Sequence, residues 1–137
     1  MKTNKVVIDT NALIYAVQKK RDLFEDLTKY LGSFEIIVLE RVKEELERKA
    51  GTESPRSRAE ATGGKTKANA KIAMEMLDKM RIVEFEKAGK STDDLIIDYA
   101  EENDAYVYTY DKKLKQKCKK KKIKLVRMEA FEGKGRA

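Results

Sequence analysis

Short apolar runs alternate along the chain with longer stretches in which apolar residues recur at helical spacing. An apolar run of four to eight residues is typical of a buried strand, and recurrence every three or four residues is typical of an amphipathic helix. The pattern predicts strands over residues 5–8, 35–39, 82–85, 105–110 and 125–128. It predicts helices over residues 11–19, 22–31, 42–49, 67–80, 91–103 and 112–122. Because strands alternate with helices, we expect an α/β protein whose parallel sheet is covered on both faces.

The length of 137 residues fits a single domain. We place this domain at residues 1–129 and expect residues 130–137 to form a flexible tail. Residues 51–66 contain the only proline together with glycine, serine and threonine, a composition typical of a loop. Because arginine and lysine are also present in that stretch, we predict a mobile basic loop there.

The composition narrows the chemistry that this chain can perform. It contains no histidine and a single cysteine, Cys118. Catalysis by a histidine-activated nucleophile, a disulfide within the chain and the usual zinc sites are therefore excluded. Acid–base or metal chemistry must come from aspartate and glutamate, whose oxygen atoms suit hard cations. The longest aliphatic run, residues 36–39, is too short to span a membrane, and we expect a cytoplasmic protein.

The net charge of +7 is unevenly distributed. Ten lysines or arginines and no acidic residue lie between Lys112 and Arg127, so the rest of the chain is net negative. Basic clusters of this kind attract polyanions such as RNA, although a lysine-rich helix can also be simply a solvated one. We predict RNA contacts for the lysines that follow Asp111 and for basic residues in and beside the 51–66 loop. These candidates are Lys112, Lys113, Lys115, Lys117, Arg56, Arg58, Lys65 and Lys67.

Two aspartates, Asp9 and Asp111, stand at the carboxyl ends of predicted strands. Either one could serve only as the cap of the helix that follows it. In a parallel sheet, however, the strands end at the same edge, and the two carboxylates would meet if their strands are neighbours. Carboxylates held close together repel each other, and a divalent cation removes that repulsion. The pair therefore points to a metal site.

Helical phase selects two further acids. Successive residues of a helix are turned by about 100° about its axis. In the third predicted helix, Glu45 lies on the flank of the apolar side, whereas Glu44 points nearly the opposite way. In the fifth, Asp93 lies on the flank, and Asp94 and Asp98 face away. A Ser-x-x-Asp capping box accounts for Asp94 but leaves Asp93 without a structural role. Glu45 and Asp93 are therefore the helical acids that we expect to face inward.

Four acidic segments thus follow one another along the chain: Val7–Asn11, Val42–Leu46, Asp93–Ile96 and Tyr108–Asp111. In this order, and in this strand and helix context, they resemble the four acidic motifs of PIN-domain ribonucleases. The chain is similar to the archaeal branch related to small-subunit rRNA-processing PIN nucleases, and more distantly to VapC toxins. The resemblance covers nearly the whole chain and implies a three-layer α/β/α fold with a central five-strand parallel sheet.

The resemblance also implies the site. It assigns catalysis to Asp9, Glu45, Asp93 and Asp111. The metal ligands among them would be Asp9, Asp93 and Asp111, holding Mg²⁺ or Mn²⁺. Polar support would come from Thr10, Asn11 and Thr109.

These residues favour a metal-dependent endoribonuclease that hydrolyses RNA phosphodiester bonds, with rRNA processing as its expected role. Two alternatives stay open. One is a VapC-type toxin ribonuclease, normally held by an antitoxin, and the other is a non-catalytic RNA-binding subunit. The expected partners are RNA, a second copy of the chain in a homodimer, and either ribosome-assembly factors or an antitoxin, with no membrane.

Overall fold

The computed structural model describes residues 3–51 and 64–126. The strands within these residues are β1 (Asn4–Ile8), β2 (Phe34–Leu39), β3 (Arg81–Val83) and β4 (Tyr106–Tyr108). The helices are α1 (Thr10–Gln18), α2 (Leu23–Leu31), α3 (Glu40–Ala50), α4 (Gly64–Met76), α5 (Thr92–Asn103) and α6 (Lys112–Lys120). A single 3₁₀ turn, Leu77–Lys79, follows α4.

The strands form one parallel sheet in the order β3-β2-β1-β4. The chain moves outward from β1 to β2 and β3, and then returns past β1 to β4. Right-handed crossovers in these opposite directions place α1 to α4 on one face of the sheet and α5 on the other. The contacts agree, since α1, α3 and α4 pack against one another, while α5 packs against β1, β4 and α6.

The two central strands carry the hydrophobic core. The apolar residues of β1 and β2 from Val6 to Ile8 and from Ile36 to Leu39 are almost completely buried. Such continuous apolar runs are typical of parallel strands that are covered on both faces. The predicted α/β sandwich is therefore confirmed. Within the described ranges, no helix is long and apolar enough to cross a membrane.

The predicted fifth strand, residues 125–128, begins at the correct edge of the sheet. Leu125 forms a parallel bridge with Val107 of β4, and Val126 donates its backbone N–H to the Val107 carbonyl. Residues 127 and 128 lie outside the described ranges. The five-strand sheet therefore stays a prediction.

Several predicted boundaries need correction. The strand predicted over residues 82–85 is β3 at Arg81–Val83, and the helix predicted to reach residue 80 ends at Met76 before the 3₁₀ turn. The strand predicted to end at Tyr110 ends at Tyr108, because its partner β1 ends at Ile8, opposite Tyr108. The Tyr110 ring packs on Tyr15, with centroids 4.3 Å apart. The helix predicted from residue 67 begins at Gly64. The predicted loop is therefore shorter at its carboxyl end. Its residues 52–63 and the predicted tail at 130–137 lie outside the described ranges.

The direction in which successive strands are added to the sheet reverses between β1 and β4. Ile8 is paired with Tyr108, so the residues that follow these two strands emerge side by side at the carboxyl edge. In open α/β sheets, ligands bind at such a reversal point. Asp9 and Thr109 are the first side chains beyond it.

Candidate active site

Asp9 is a buried carboxylate, only 8% exposed, at the end of β1. Its backbone N–H donates to the Tyr108 carbonyl across the reversal point. Although Asp9 precedes α1, its side chain does not cap that helix; its Oδ2 accepts a hydrogen bond of 2.9 Å from Thr109 Oγ1. The simple helix-cap interpretation of Asp9 is therefore wrong.

Thr109 connects the two strand-end acids. Its buried hydroxyl donates to Asp9 and accepts the backbone N–H of Asp111 at 3.0 Å. A hydroxyl can do both because it carries one proton and two lone pairs. The contact fixes how the chain turns from β4 into α6, and so fixes where Asp111 stands relative to Asp9.

Glu45 faces the same centre from α3. Its Oε1 accepts from Thr10 Oγ1 at 2.9 Å, and its Oε2 accepts from Thr92 Oγ1 at 2.6 Å. Glu44, by contrast, is exposed. Helical phase therefore predicted correctly which of these two neighbouring glutamates turns inward.

The remaining acids are electrostatically coupled to Asp9. Burial raises the pKa of Asp9 from 3.8 to about 6; the Thr109 hydrogen bond lowers it, and the charges of Asp93 and Asp111 raise it further. Burial, and next the charge of Asp111, also raise the pKa of Asp93, while Lys117 lowers it. Glu45 contributes in the same direction as Asp111. The structure thus brings the four predicted acids into one neighbourhood.

Asp111 also has a structural role. Its Oδ1 accepts the backbone N–H groups of Lys113 at 2.8 Å and Leu114 at 3.3 Å, which caps α6. The cap interpretation that was left open for Asp111 is therefore confirmed, alongside its proximity to Asp93. Asn11, expected to provide polar support, is exposed in the first turn of α1.

The donor chemistry of this cluster suits a hard divalent cation. Three aspartates and a glutamate offer only oxygen ligands. A cation would offset both the burial that chiefly raises the pKa of Asp9 and the smaller contributions of the Asp93 and Asp111 charges. As the side chains stand, no three acidic or cysteine residues within 3–51 and 64–126 are grouped closely enough to hold a metal together. The residues fit such an ion by type and neighbourhood, and binding would require the carboxylates to draw together.

Arg41 anchors the segment that leads into α5, and sequence patterns had not singled it out. Its Nε donates to Glu86 at 3.0 Å, and its Nη1 donates to the backbone carbonyl of Lys90 at 2.9 Å. This holds residues 84–90 against α3. As a result, Thr92 reaches Glu45 at the start of α5.

The predicted RNA-binding residues are divided between different places. Lys112 and Lys113 are exposed at the start of α6, Lys115 lies over the Tyr110 ring at 6.0 Å, and Lys117 lies 3.5 Å from Asp94. Lys67 is exposed on α4. Arg56, Arg58 and the side chain of Lys65 lie outside the described part of the chain.

A family model described as a PIN like domain matches residues 6–130. Since that match spans most of the sequence, the chain belongs to the PIN-like domain family. The resemblance carried by the acidic motifs is confirmed.

Three known proteins are similar to this one along most of their length. Ribonuclease VapC4 of Methanocaldococcus jannaschii is 32% identical over 121 residues, covering 87% of this chain and 86% of that protein. Ribonuclease VapC9 of Archaeoglobus fulgidus is 32% identical over 125 residues, covering 89% and 83%. The solved structure of the PIN domain endonuclease Utp24 has a TM-score of 0.65 at 27% identity, covering 85% of this chain and 77% of that one.

Proposed function

We propose that this protein is a metal-dependent endoribonuclease that hydrolyses RNA phosphodiester bonds. The observation that carries the proposal is the grouping of Asp9, Glu45, Asp93 and Asp111 at the carboxyl edge of the sheet, beside β1 and β4. The chain that carries them belongs to the PIN-like domain family. The ribonuclease names of two relatives at 32% identity support it. With no histidine in the chain, the carboxylates of this cluster are the candidate acid–base groups.

In this mechanism, Asp9, Asp93 and Asp111 would hold Mg²⁺ or Mn²⁺. The bound cation would polarise the scissile phosphate and make a water molecule more acidic. Thr109 keeps the Asp9 carboxylate turned toward the centre through its 2.9 Å hydrogen bond. Thr10 and Thr92 orient Glu45, which positions or deprotonates the attacking water. Asn11 stands at the exposed rim, where it would meet a phosphate.

The test is cleavage of end-labelled structured RNA by the purified protein. We expect cutting with Mn²⁺ or Mg²⁺, none with chelator, and none with the Asp9→Asn variant although it folds. Asp26→Asn is the matched control, because Asp26 is an acid of the same type on α2 that pairs with Arg21, outside the acidic cluster. Cutting that survives both chelator and Asp9→Asn would overturn the mechanism. Salt-sensitive RNA binding without any cutting would favour the non-catalytic binding subunit.

The biological role has two candidates. One is rRNA processing with ribosome-assembly factors as partners, which the acidic motifs of the sequence suggest; the likeness to the PIN domain endonuclease Utp24 supports the endonuclease activity that this role needs. The relatives named VapC favour a toxin ribonuclease with an antitoxin partner. Expression of the wild-type chain and of Asp9→Asn in a host separates them. A toxin arrests growth in the active form only, and a processing enzyme instead changes the pattern of rRNA precursors when it is depleted.

A further inference from the structure

A groove between α5 and α6 lies beside the acidic centre, and its lining is predominantly basic. Its volume is about 210 Å³, and the side chain of Ile97 forms part of its wall. Its charged lining consists of Lys90, Lys117, Lys120, Lys121, Asp94 and Asp98. Four ammonium groups against two carboxylates leave the groove with a net positive charge, although the acidic centre next to it is negative.

The lysines of the groove can exchange their partners. Lys117 lies 3.5 Å from Asp94, and Lys90 lies 3.4 Å from Asp98. Lys121 lies 3.9 Å from Glu101, outside the groove. These lysine side chains are between 42% and 51% exposed, and exposed ion pairs of this kind contribute at most about 1 kcal/mol. A phosphate of the RNA backbone could therefore replace the carboxylates at little cost.

Helix α5 contributes both to the groove and to the acidic centre. Asp94, which contacts Lys117, directly follows the proposed catalytic residue Asp93. Lys117 thereby connects α6 to the first turn of α5, where Asp93 also lies. A polyanion lying in the groove would consequently lie beside the first turn of α5, which carries Asp93.

We infer that this groove between α5 and α6 binds the phosphate backbone of an RNA strand next to the scissile bond. The inference rests on the proposed function, because it assigns the path of the same substrate. It adds Lys90, Lys120 and Lys121 to the lysines that contact RNA. It also places Lys117 in the same groove as these three. The acidic cluster repels RNA, so an adjoining basic surface supplies the attraction that brings the strand to it.

The test compares two triple variants that remove the same charge. The groove variant carries Lys90→Gln, Lys120→Gln and Lys121→Gln, and retains Lys117 because of its proximity to Asp93. The control variant carries Lys29→Gln, Lys71→Gln and Lys79→Gln, which are exposed and lie on other elements. Binding of fluorescein-labelled oligouridylate is measured in chelator by anisotropy over a range of salt concentrations. Each phosphate contact with a single strand contributes about 0.7 to the slope of log K against log salt concentration.

We expect the groove variant to bind RNA more weakly, with the slope of log K against log salt concentration reduced by about 2. The slope of the control variant should stay closer to that of wild type. With Mn²⁺, the groove variant should have a raised KM for cleavage and a nearly unchanged kcat. Equal losses in both variants would overturn the proposal, because net charge alone would then explain them. So would a groove variant that keeps RNA binding but loses affinity for poly-glutamate, since the surface would then recognise an acidic protein.

The outcome is separable from that of the nuclease proposal. If wild-type protein cuts RNA and the groove variant has unchanged KM and salt slope, only the groove assignment fails. If no variant cuts RNA but the groove variant alone loses binding, the groove assignment stands and the proposed catalytic function fails.

Discussion

Ionisation of Asp9 works against the folded state. Its pKa is raised from 3.8 to about 6, chiefly by burial, so the folded protein binds that proton more tightly than the unfolded chain does. Stability should therefore fall as the pH rises from about 4 to about 6 and stay reduced above that range. In chelator at pH 8, we expect Asp9→Asn to be more stable than wild type, by at most about 3 kcal/mol. Urea denaturation at pH 4.5 and pH 8 measures this difference, which should be much smaller at the lower pH.

Asp98 is the control for this prediction, because its pKa shift has the opposite sign to that of Asp9. Burial acts to raise its pKa, but Lys87 and Lys90 outweigh burial, and the pKa is lowered. Its ionisation therefore stabilises the folded protein, and this contribution is lost as the pH falls through the carboxylate range. Asp98→Asn should be less stable than wild type at pH 8. If both asparagine variants changed stability in the same direction, loss of charge alone would explain them and the environment of Asp9 would not.

Glu45 and Glu44 form an adjacent pair for testing catalysis. Glu45 accepts hydrogen bonds from Thr10 and Thr92, while Glu44 is exposed. We expect Glu45→Gln to lower the single-turnover cleavage rate by about 10²-fold or more, as for loss of a general base. Glu44→Gln should cut at the wild-type rate. Equal rates in the two variants would remove Glu45 from the mechanism.

At the residue scale, the sequence predicted what depends on local geometry. Helical phase distinguishes Glu45 from Glu44 because both lie on one helix. It gave no indication of Thr92 as a partner of Glu45, since the two are 47 positions apart and meet only in the folded protein. The cap at Asp111 was anticipated as an alternative because it needs only the next three residues.

At the scale of elements, Arg41 connects α3 to the segment before α5. Its hydrogen bonds to Glu86 and to the Lys90 carbonyl hold the start of α5 where Thr92 can reach Glu45. We expect Arg41→Gln to increase amide hydrogen exchange over residues 84–92 and to lower kcat more than it changes KM. Arg41→Lys should restore little, because lysine cannot bridge two acceptors with a planar fork.

Arg81→Gln is the matched control for that experiment. Arg81 also pairs with a glutamate, Glu35, at 3.1 Å, but it lies at the amino end of β3, away from the carboxyl edge. It should leave both kcat and hydrogen exchange at residues 84–92 unchanged. Should Arg81→Gln match Arg41→Gln in both measurements, the anchoring role of Arg41 would be withdrawn.

The periodicity of the chain predicted the elements better than their ends. The long helices and the central strands follow directly from their apolar spacing. The short strands do not, because an apolar run can continue after strand pairing has stopped. Tyr110 packs on Tyr15, and Phe85 packs on Tyr99 with ring centroids 5.3 Å apart, so both extend the apolar pattern without extending β4 or β3.

At the scale of the whole molecule, the acidic cluster and the basic groove between α5 and α6 occupy adjoining regions. The basic run after Asp111 was visible in the sequence, but the groove it helps to form was not. Lys90 precedes α5 and Lys117 lies on α6, and only the packing of these helices brings them to one cavity. The sequence therefore predicts attraction for a polyanion, and folding determines the path along which the polyanion lies.

The acidic side chains grouped around Asp9 also predict how a metal changes the stability of the whole protein. A cation that binds only the folded protein stabilises it by about 2.7 kcal/mol at a hundred times its dissociation constant. We expect Mn²⁺ to raise the Tm of wild type at pH 8, to raise it less below pH 6 where a proton competes at Asp9, and to leave Asp9→Asn unchanged. The difference in stability should therefore narrow: Asp9→Asn is the more stable protein in chelator, and wild type gains on it with Mn²⁺. Thermal denaturation of both proteins, with Asp98→Asn as the control that still responds to Mn²⁺, measures this. An equal Mn²⁺ shift in wild type and Asp9→Asn would place the ion elsewhere, because a site that uses the Asp9 carboxylate cannot survive its loss unchanged.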